Sequence, residues 1–142
     1  MIFSSARIST EDMKNFTAAV SLGLLPKLEV LSLMHTRINK YGMRELTTVM
    51  DKMNNLKELC LSHNLIGNEG MEAFYDKLSK NKIANTNMLP NLDTLHLFNV
   101  GLDDEGKRKL KEKSKMFFIR FPRLDTMSYT HPLSNEIEMV EH

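Results

Sequence analysis

The feature that most constrains this chain is a six-residue pattern that occurs four times. The pattern is L-x-x-L-x-L, and its copies begin at Leu28, Leu56, Leu92 and Leu124; the last copy has Met127 and Tyr129 in place of the second and third leucines. After each of the first three copies an apolar residue, a glycine and a second apolar residue recur at fixed spacing: Ile38, Gly42 and Leu46; Ile66, Gly70 and Phe74; Leu102, Gly106 and Leu110. A unit of this size cannot bury its apolar face alone, so the pattern predicts stacked units that share one core.

The length of the unit indicates what each repeat contains. The leading leucines are 28, 36 and 32 residues apart. A unit of about 28 residues has room for a short strand and a helix of about three turns, which a unit of about 20 to 24 residues lacks. We therefore predict one domain, 1–142, with a degenerate N-terminal unit at 1–27, repeats at 28–55, 56–91 and 92–123, and a terminal strand with an acidic tail at 124–142.

These long units resemble the ribonuclease-inhibitor-type leucine-rich repeat, over roughly Ile2 to Tyr129. The resemblance implies an intracellular protein with an α/β fold, a right-handed solenoid that has parallel strands on its concave face and helices on its convex face. Where that family prefers Asn or Cys, this chain has Thr36, Asn64 and Val100. Only Asn64 is therefore expected to make the family's side-chain bond to the turn backbone.

Apolar residues with helical spacing follow the strands and are predicted to lie in the core. They are Met43, Leu46, Val49, Met50 and Met53 in the first repeat, and Met71, Phe74 and Leu78 in the second. In the N-terminal unit, Ser9 or Thr10 is the expected N-cap of a helix, and residues 1–3 are the expected first strand. The extra residues of the second repeat are expected to form a polar surface loop near 80–88.

The alignment of the repeats also predicts which side chains share the sheet face opposite the leucines. Neighbouring strands lie about 4.8 Å apart, so equivalent positions form rows across the sheet. Met34 and Phe98 are large apolar residues in one such row, and a bound partner explains them better than the fold does. We predict a partner-binding site on this face, formed by Met34, His35, Glu58, Cys60, His63, Thr94, His96 and Phe98.

The histidines on this face raise the alternative of a metal site. His35 and His63 occupy equivalent positions in adjacent repeats, and so do Cys60 and His96. The two pairs would lie roughly 10 Å apart along the strands, which is too far for one tetrahedral ion. Histidines that tune binding with pH are the preferred interpretation. The Ser, His and Asp residues are too dispersed for a catalytic triad, so we predict no enzyme and no cofactor.

Composition bounds the class of partner. A net charge of +1 gives no general attraction to nucleic acid or anionic lipid, and no stretch of apolar residues is long enough to span a membrane. An acidic run at 103–105 precedes a basic run at 107–115. This order of charges complements the dipole of a helix, which is the preferred explanation of the two runs. The alternative explanation is that the basic run binds an acidic partner. Cys60 is the only cysteine and cannot form an internal disulfide, which favours a cytoplasmic protein.

The C-terminal edge of the predicted sheet leaves three alternatives. The strand that begins near Leu124 is followed by a tail that contains Glu136, Glu138 and Glu141. The exposed edge of this strand could be covered in three ways: by this tail, by pairing with a second copy in a homodimer, or by further repeats. Residues 116–119, which include Phe117, are expected to lie either beneath the last strand or in a dimer surface.

These features together predict a module that binds a protein partner through the concave strand face. Inhibitors, GTPase activators and actin-filament cappers use the repeat that this chain resembles. One alternative is therefore a regulatory subunit or inhibitor of an enzyme or cytoskeletal protein. The other alternative is a structural protein that self-associates.

Overall fold

Short strands and longer helices alternate along the chain, as the repeats predict. The computed structural model describes residues 1–3, 5–80, 88–121, 123–134 and 136–141. The helices are α1 (Thr10–Ser21), α2 (Lys40–Thr47), α3 (Gly67–Lys80) and α4 (Asp104–Arg120). The strands are β1 (Val30–Ser32), β2 (Glu58–Cys60), β3 (Thr94–Leu97), β4 (Thr126–Thr130) and β5 (Ile137–Glu141). The polar loop predicted near 80–88 falls mainly at 81–87, outside the described residues.

The five strands form one sheet in chain order, and β1 to β4 are parallel. Their register gives the rows that the alignment of the repeats predicts, including Val30, Glu58, Thr94 and Thr126. The N-terminal segment also joins the sheet, because Ile2 forms a parallel bridge with Ser32 and the Phe3 N–H donates to the Ser32 carbonyl at 2.9 Å. The predicted first strand is therefore present as a single bridge. The result is an α/β fold built on a small, mainly parallel sheet.

One face of the sheet supplies the core. Leu31, Leu59, Leu95 and Met127 stand in register on neighbouring strands and are fully buried. The predicted apolar stripes of the first two repeats are buried with them. However, α2 ends at Thr47, so Val49 lies beyond the helix to which its spacing assigns it. The Val49 N–H instead donates to the Leu46 carbonyl in a tighter i, i+3 turn.

Asn64 ties the turn after β1 to the turn after β2. Its Oδ1 accepts from the backbone N–H groups of Thr36 and Ile38, both at 3.1 Å. Its Nδ2 donates to the carbonyls of Leu33 at 2.7 Å and Leu61 at 2.9 Å. The predicted bond from this side chain to the turn backbone is therefore confirmed, and it spans two repeats rather than one. The expectation that only Asn64 makes such a bond is wrong, because the Thr36 hydroxyl also donates to the Leu33 carbonyl at 2.6 Å.

A tight approach between turn and helix explains the recurring glycine. At Gly70, in the first turns of α3, a Cβ atom would lie 2.5 Å from Cγ2 of Ile66 and 3.2 Å from the Lys40 Cα. At Gly42 it would lie 3.0 Å from Cγ2 of Ile38. In both repeats the glycine therefore lets the helix start pack directly on the preceding buried isoleucine.

Four aromatic rings join α3 to α4 in the core. The ring centroid of Phe117 lies 5.2 Å from that of Phe74, 6.0 Å from that of Tyr75 and 6.1 Å from that of Phe121. Phe117 is fully buried, so its alternative assignment to a dimer surface is wrong. On the same helix only Ile119 is a strongly exposed large apolar residue.

The tail folds back as β5 and pairs with β4 in antiparallel orientation. Val140 packs partly against the core, and Glu138 forms an ion pair with Lys111 of α4 at 3.3 Å. The prediction of parallel strands is therefore wrong for β5, which is antiparallel to β4. The edge of β4 that was considered for a homodimer is occupied by the chain's own tail, so the structure gives no support to dimerisation there.

Candidate functional site

The sheet face opposite the leucines, here called the open face, is crossed by regular rows of side chains. One row consists of Ser32, Cys60, His96, Ser128 and Met139, and the next consists of Val30, Glu58, Thr94, Thr126 and Glu141. Most of the larger side chains in these rows are partly exposed. The open face is therefore a continuous surface across all five strands.

The carboxyl ends of β1, β2 and β3 share an unusual backbone conformation. His35, His63 and Asn99 occupy equivalent positions and have φ angles of 57°, 58° and 52°. This left-handed region is sparsely populated by residues other than glycine, and Asn and His tolerate it better than most. Its repetition indicates that the turn geometry, rather than local sequence preference, positions these three side chains.

The turns bring four side chains together, here called the histidine cluster: His35, His63, Phe98 and Asn99. The two imidazoles stack with centroids 4.3 Å apart and an interplanar angle of 6°. The Phe98 ring meets His63 edge-on at 5.3 Å. Nδ2 of Asn99 lies 3.2 Å from Nδ1 of His63. Because an amide nitrogen can only donate, Nδ1 accepts and the proton of the neutral imidazole is on Nε2.

The cluster favours neutral histidine. Burial lowers the pKa of His63 below its ordinary value near 6.5, and the charge of the neighbouring His35 lowers this pKa further. The lowered pKa favours the neutral form of His63 within the stack.

We expect the free energy of unfolding to fall as the pH drops below about 6.5, because the unfolded chain then binds a proton at His63 more readily than the folded chain does. The variant His63→Asn should lose this part of the pH dependence, and Asn99 at the equivalent position indicates that asparagine fits the turn. Urea unfolding at about pH 7.5 and about pH 5.5 measures the difference. An equal loss of stability in the variant and the parent protein would contradict the assignment to His63.

The eight predicted site residues do not all reach the surface. His35 is exposed, and Met34, Glu58, His63, Thr94, His96 and Phe98 are partly exposed. Cys60 is only 8% exposed, so little of its side chain is available for the predicted contact with a partner.

Small polar residues of the open face are buried but hydrogen-bonded. The Phe98 N–H donates to Ser62 Oγ at 3.0 Å, and the Asn99 N–H donates to Thr130 Oγ1 at 2.8 Å. Ser128 Oγ and His96 Nδ1 form a hydrogen bond of 2.7 Å. These bonds link β3 and the turn after it to the neighbouring repeats on both sides.

The prediction overlooked two residues of this face. Ile137 and Met139 on β5 are 56% and 55% exposed, and they pair with Thr130 and Ser128 on β4. Their signal is an alternation over 137–141, in which Glu138 and Val140 point to the less exposed side. The predicted role of the tail rests on its acidic residues and does not use this alternation with a period of two.

The described part of the chain gives no sign of a metal centre. Over residues 1–3, 5–80, 88–121, 123–134 and 136–141, no three His, Cys, Asp or Glu side chains are grouped so that they could hold an ion. In those same ranges, none of the helices has the length and apolar character to cross a membrane.

Comparisons with known proteins agree with the repeat architecture. The sequence model described as leucine-rich repeat matches residues 52–74, which run from just before β2 into α3. A solved structure titled Leiomodin-1 Actin-Binding Site 2 (ABS2) is similar in fold, with a TM-score of 0.67 at 15% sequence identity. The similarity covers 91% of this chain and 68% of that chain. No curated protein sequence matches this chain.

The sequence match is confined to one repeat at residues 52–74, and the similarity to the solved structure shows that the two chains share a fold.

Proposed function

We propose that this chain is a ribonuclease-inhibitor-type leucine-rich repeat domain that binds a protein partner and has no enzymatic activity. In this proposal the sheet is the concave side of a right-handed solenoid, divided into the units 1–27, 28–55, 56–91, 92–123 and 124–142. The observation that carries the proposal is the open face, where Met34, His35, His63 and Phe98 keep exposed apolar or aromatic surface outside the core. Side chains of this kind are typical anchors of protein interfaces.

The proposed compartment is the cytoplasm. Cys60 is a free, buried thiol, and the sequence contains no second cysteine with which it could pair. A repeat domain without disulfides suits a reducing compartment.

Actin is the first partner to test, because the similar solved structure is titled as an actin-binding site. The two chains are similar in fold only. The choice of actin is therefore one hypothesis, about the identity of the partner. The open face as the binding site is a separate hypothesis, about where the partner binds. The two can be tested with one set of variants.

We expect purified actin to bind the parent protein and to bind the double variant Met34→Glu, Phe98→Glu at least about tenfold more weakly, since each change places a charge in an apolar contact. The matched control is Ile119→Glu, which puts the same charge on an apolar residue of α4 that is 77% exposed. Fluorescence titration measures affinity, and circular dichroism checks that helix content is kept.

The outcomes separate the two hypotheses. Failure of the parent protein to bind actin would overturn actin as the partner. Equal affinity of the parent protein and the double variant would overturn this part of the open face as the site.

A further inference from the structure

Strand β5 converts the C-terminal half of the open face into a channel. The side chains of His96 on β3 and of Phe98 just after it form one wall, and those of Met139 and Ile137 on β5 form the other. The floor is β4, where Ser128 and Thr130 are buried although they lie on the open face. Two strand spacings separate the walls by roughly 10 Å.

The carboxyl ends of β3 and β4 leave additional room beside this channel. A cavity of about 430 Å³ opens there, and Phe98, Thr130 and Lys107 are among the residues that line it. The cavity adjoins the channel at Phe98 and Thr130 and extends from there along the turn at 99–102 toward Lys107 of α4. Such a shape accepts a rod-like segment better than a flat surface.

The opposite end of the channel is acidic. Asp125 is exposed just before β4, and exposed Glu141 pairs in register with Thr126. Strands β3, β4 and β5 contain no lysine or arginine. Most basic residues of this half of the chain are on α4, at 107–115. Exposed Arg123 lies two residues before Asp125, but Asp93, Asp125 and Glu141 together still give this end a net negative charge. An acidic segment would therefore be repelled from this end of the channel, and a basic one would be attracted.

We propose that this channel is the docking site for an amphipathic helix of a protein partner, with its apolar stripe along β4 and its basic residues over Asp125 and Glu141. The proposal rests on the proposed protein-binding function and names the chemistry of the partner. An amphipathic helix can lie over a groove and insert only the side chains of its apolar stripe between the walls, so the helix itself need not fit inside the roughly 10 Å between β3 and β5.

The test uses two fluorescein-labelled synthetic peptides of about 14 residues with leucine at i, i+3, i+4 and i+7. One carries lysines at one end, and the other carries glutamates at the same positions. We expect the parent protein to bind the lysine peptide at least about tenfold more tightly than the glutamate peptide, as measured by fluorescence anisotropy. The double variant Asp125→Asn, Glu141→Gln should remove most of this preference.

The apolar wall is tested with Ile137→Thr, Met139→Thr, since threonine keeps a high strand propensity. This variant should bind the lysine peptide at least about tenfold more weakly. Ile119→Thr, an exposed apolar residue outside the channel, should bind as the parent protein does. Thermal melting checks that both variants are folded.

Three results would overturn the proposal: no binding of either peptide, equal binding of both peptides by the parent protein, or unchanged binding by the threonine double variant. A dimer of the parent protein that this variant dissociates, measured by light scattering, would also overturn it and make a second copy the occupant. The actin titration of the parent protein is scored independently, so actin binding without peptide binding would overturn the helix site and leave the protein-binding function in place.

Discussion

Replacement of Phe117 by alanine is expected to lower the free energy of unfolding by about 4 kcal/mol. The side chain is fully buried, and its ring contacts Phe74, Tyr75 and Phe121 at the junction of α3 and α4. The alanine variant loses the transfer free energy of the ring and leaves a cavity that two packed helices cannot close. For a domain of this size, such a loss is a large share of the total stability.

Ile119→Ala is the matched control, because Ile119 lies two residues away on α4 and is 77% exposed. Its expected change is within about 0.5 kcal/mol. Chemical denaturation with a fixed m-value compares the two variants. Similar losses for Phe117→Ala and Ile119→Ala would mean that the aromatic cluster does not hold α4 against α3.

Replacement of Asn64 by alanine is expected to lower the free energy of unfolding by about 3 kcal/mol. The change leaves the buried backbone N–H groups of Thr36 and Ile38 without the Asn64 oxygen, and the carbonyls of Leu33 and Leu61 without the amide donor. Each buried group that loses its partner bears a desolvation cost that water cannot relieve. The effect should extend over two repeats, since the bonds reach both turns.

Asn55 offers a control of the same residue type. Its Nδ2 donates to the Pro26 carbonyl at 2.6 Å, but the side chain is exposed and water can replace the bond. Asn55→Ala should therefore cost less than about 1 kcal/mol. Hydrogen exchange should increase at Thr36 and Ile38 in Asn64→Ala and stay unchanged there in Asn55→Ala. Unchanged exchange at both residues in Asn64→Ala would refute the linking role.

The repeat pattern predicted those features that depend on local chain geometry. Leu31, Leu59 and Leu95 recur at the same place in each unit, so their burial and register follow from the period of the sequence. The turn role of Asn64 was expected from the resemblance to the family and not from the period, since Thr36 and Val100 occupy the equivalent positions. An α/β fold with strands in register was therefore predictable from residue order alone.

Contacts between distant parts of the chain decided the remaining features. The antiparallel pairing of β5 with β4 depends on a segment without the leucine pattern, and it determines whether Ile137 and Met139 line the open face. The stack of His35 on His63 depends on how two turns 28 residues apart meet across the sheet.

The sequence by itself determined the repeating strands and helices and the buried leucines, because periodic patterns set which face of each element is apolar. Only the tertiary structure decided that Cys60 is covered, that the histidines stack and that the tail completes a channel. The physical reason is that side-chain exposure on a sheet depends on which strands lie beside it, and residue order alone does not specify the size and direction of those neighbours.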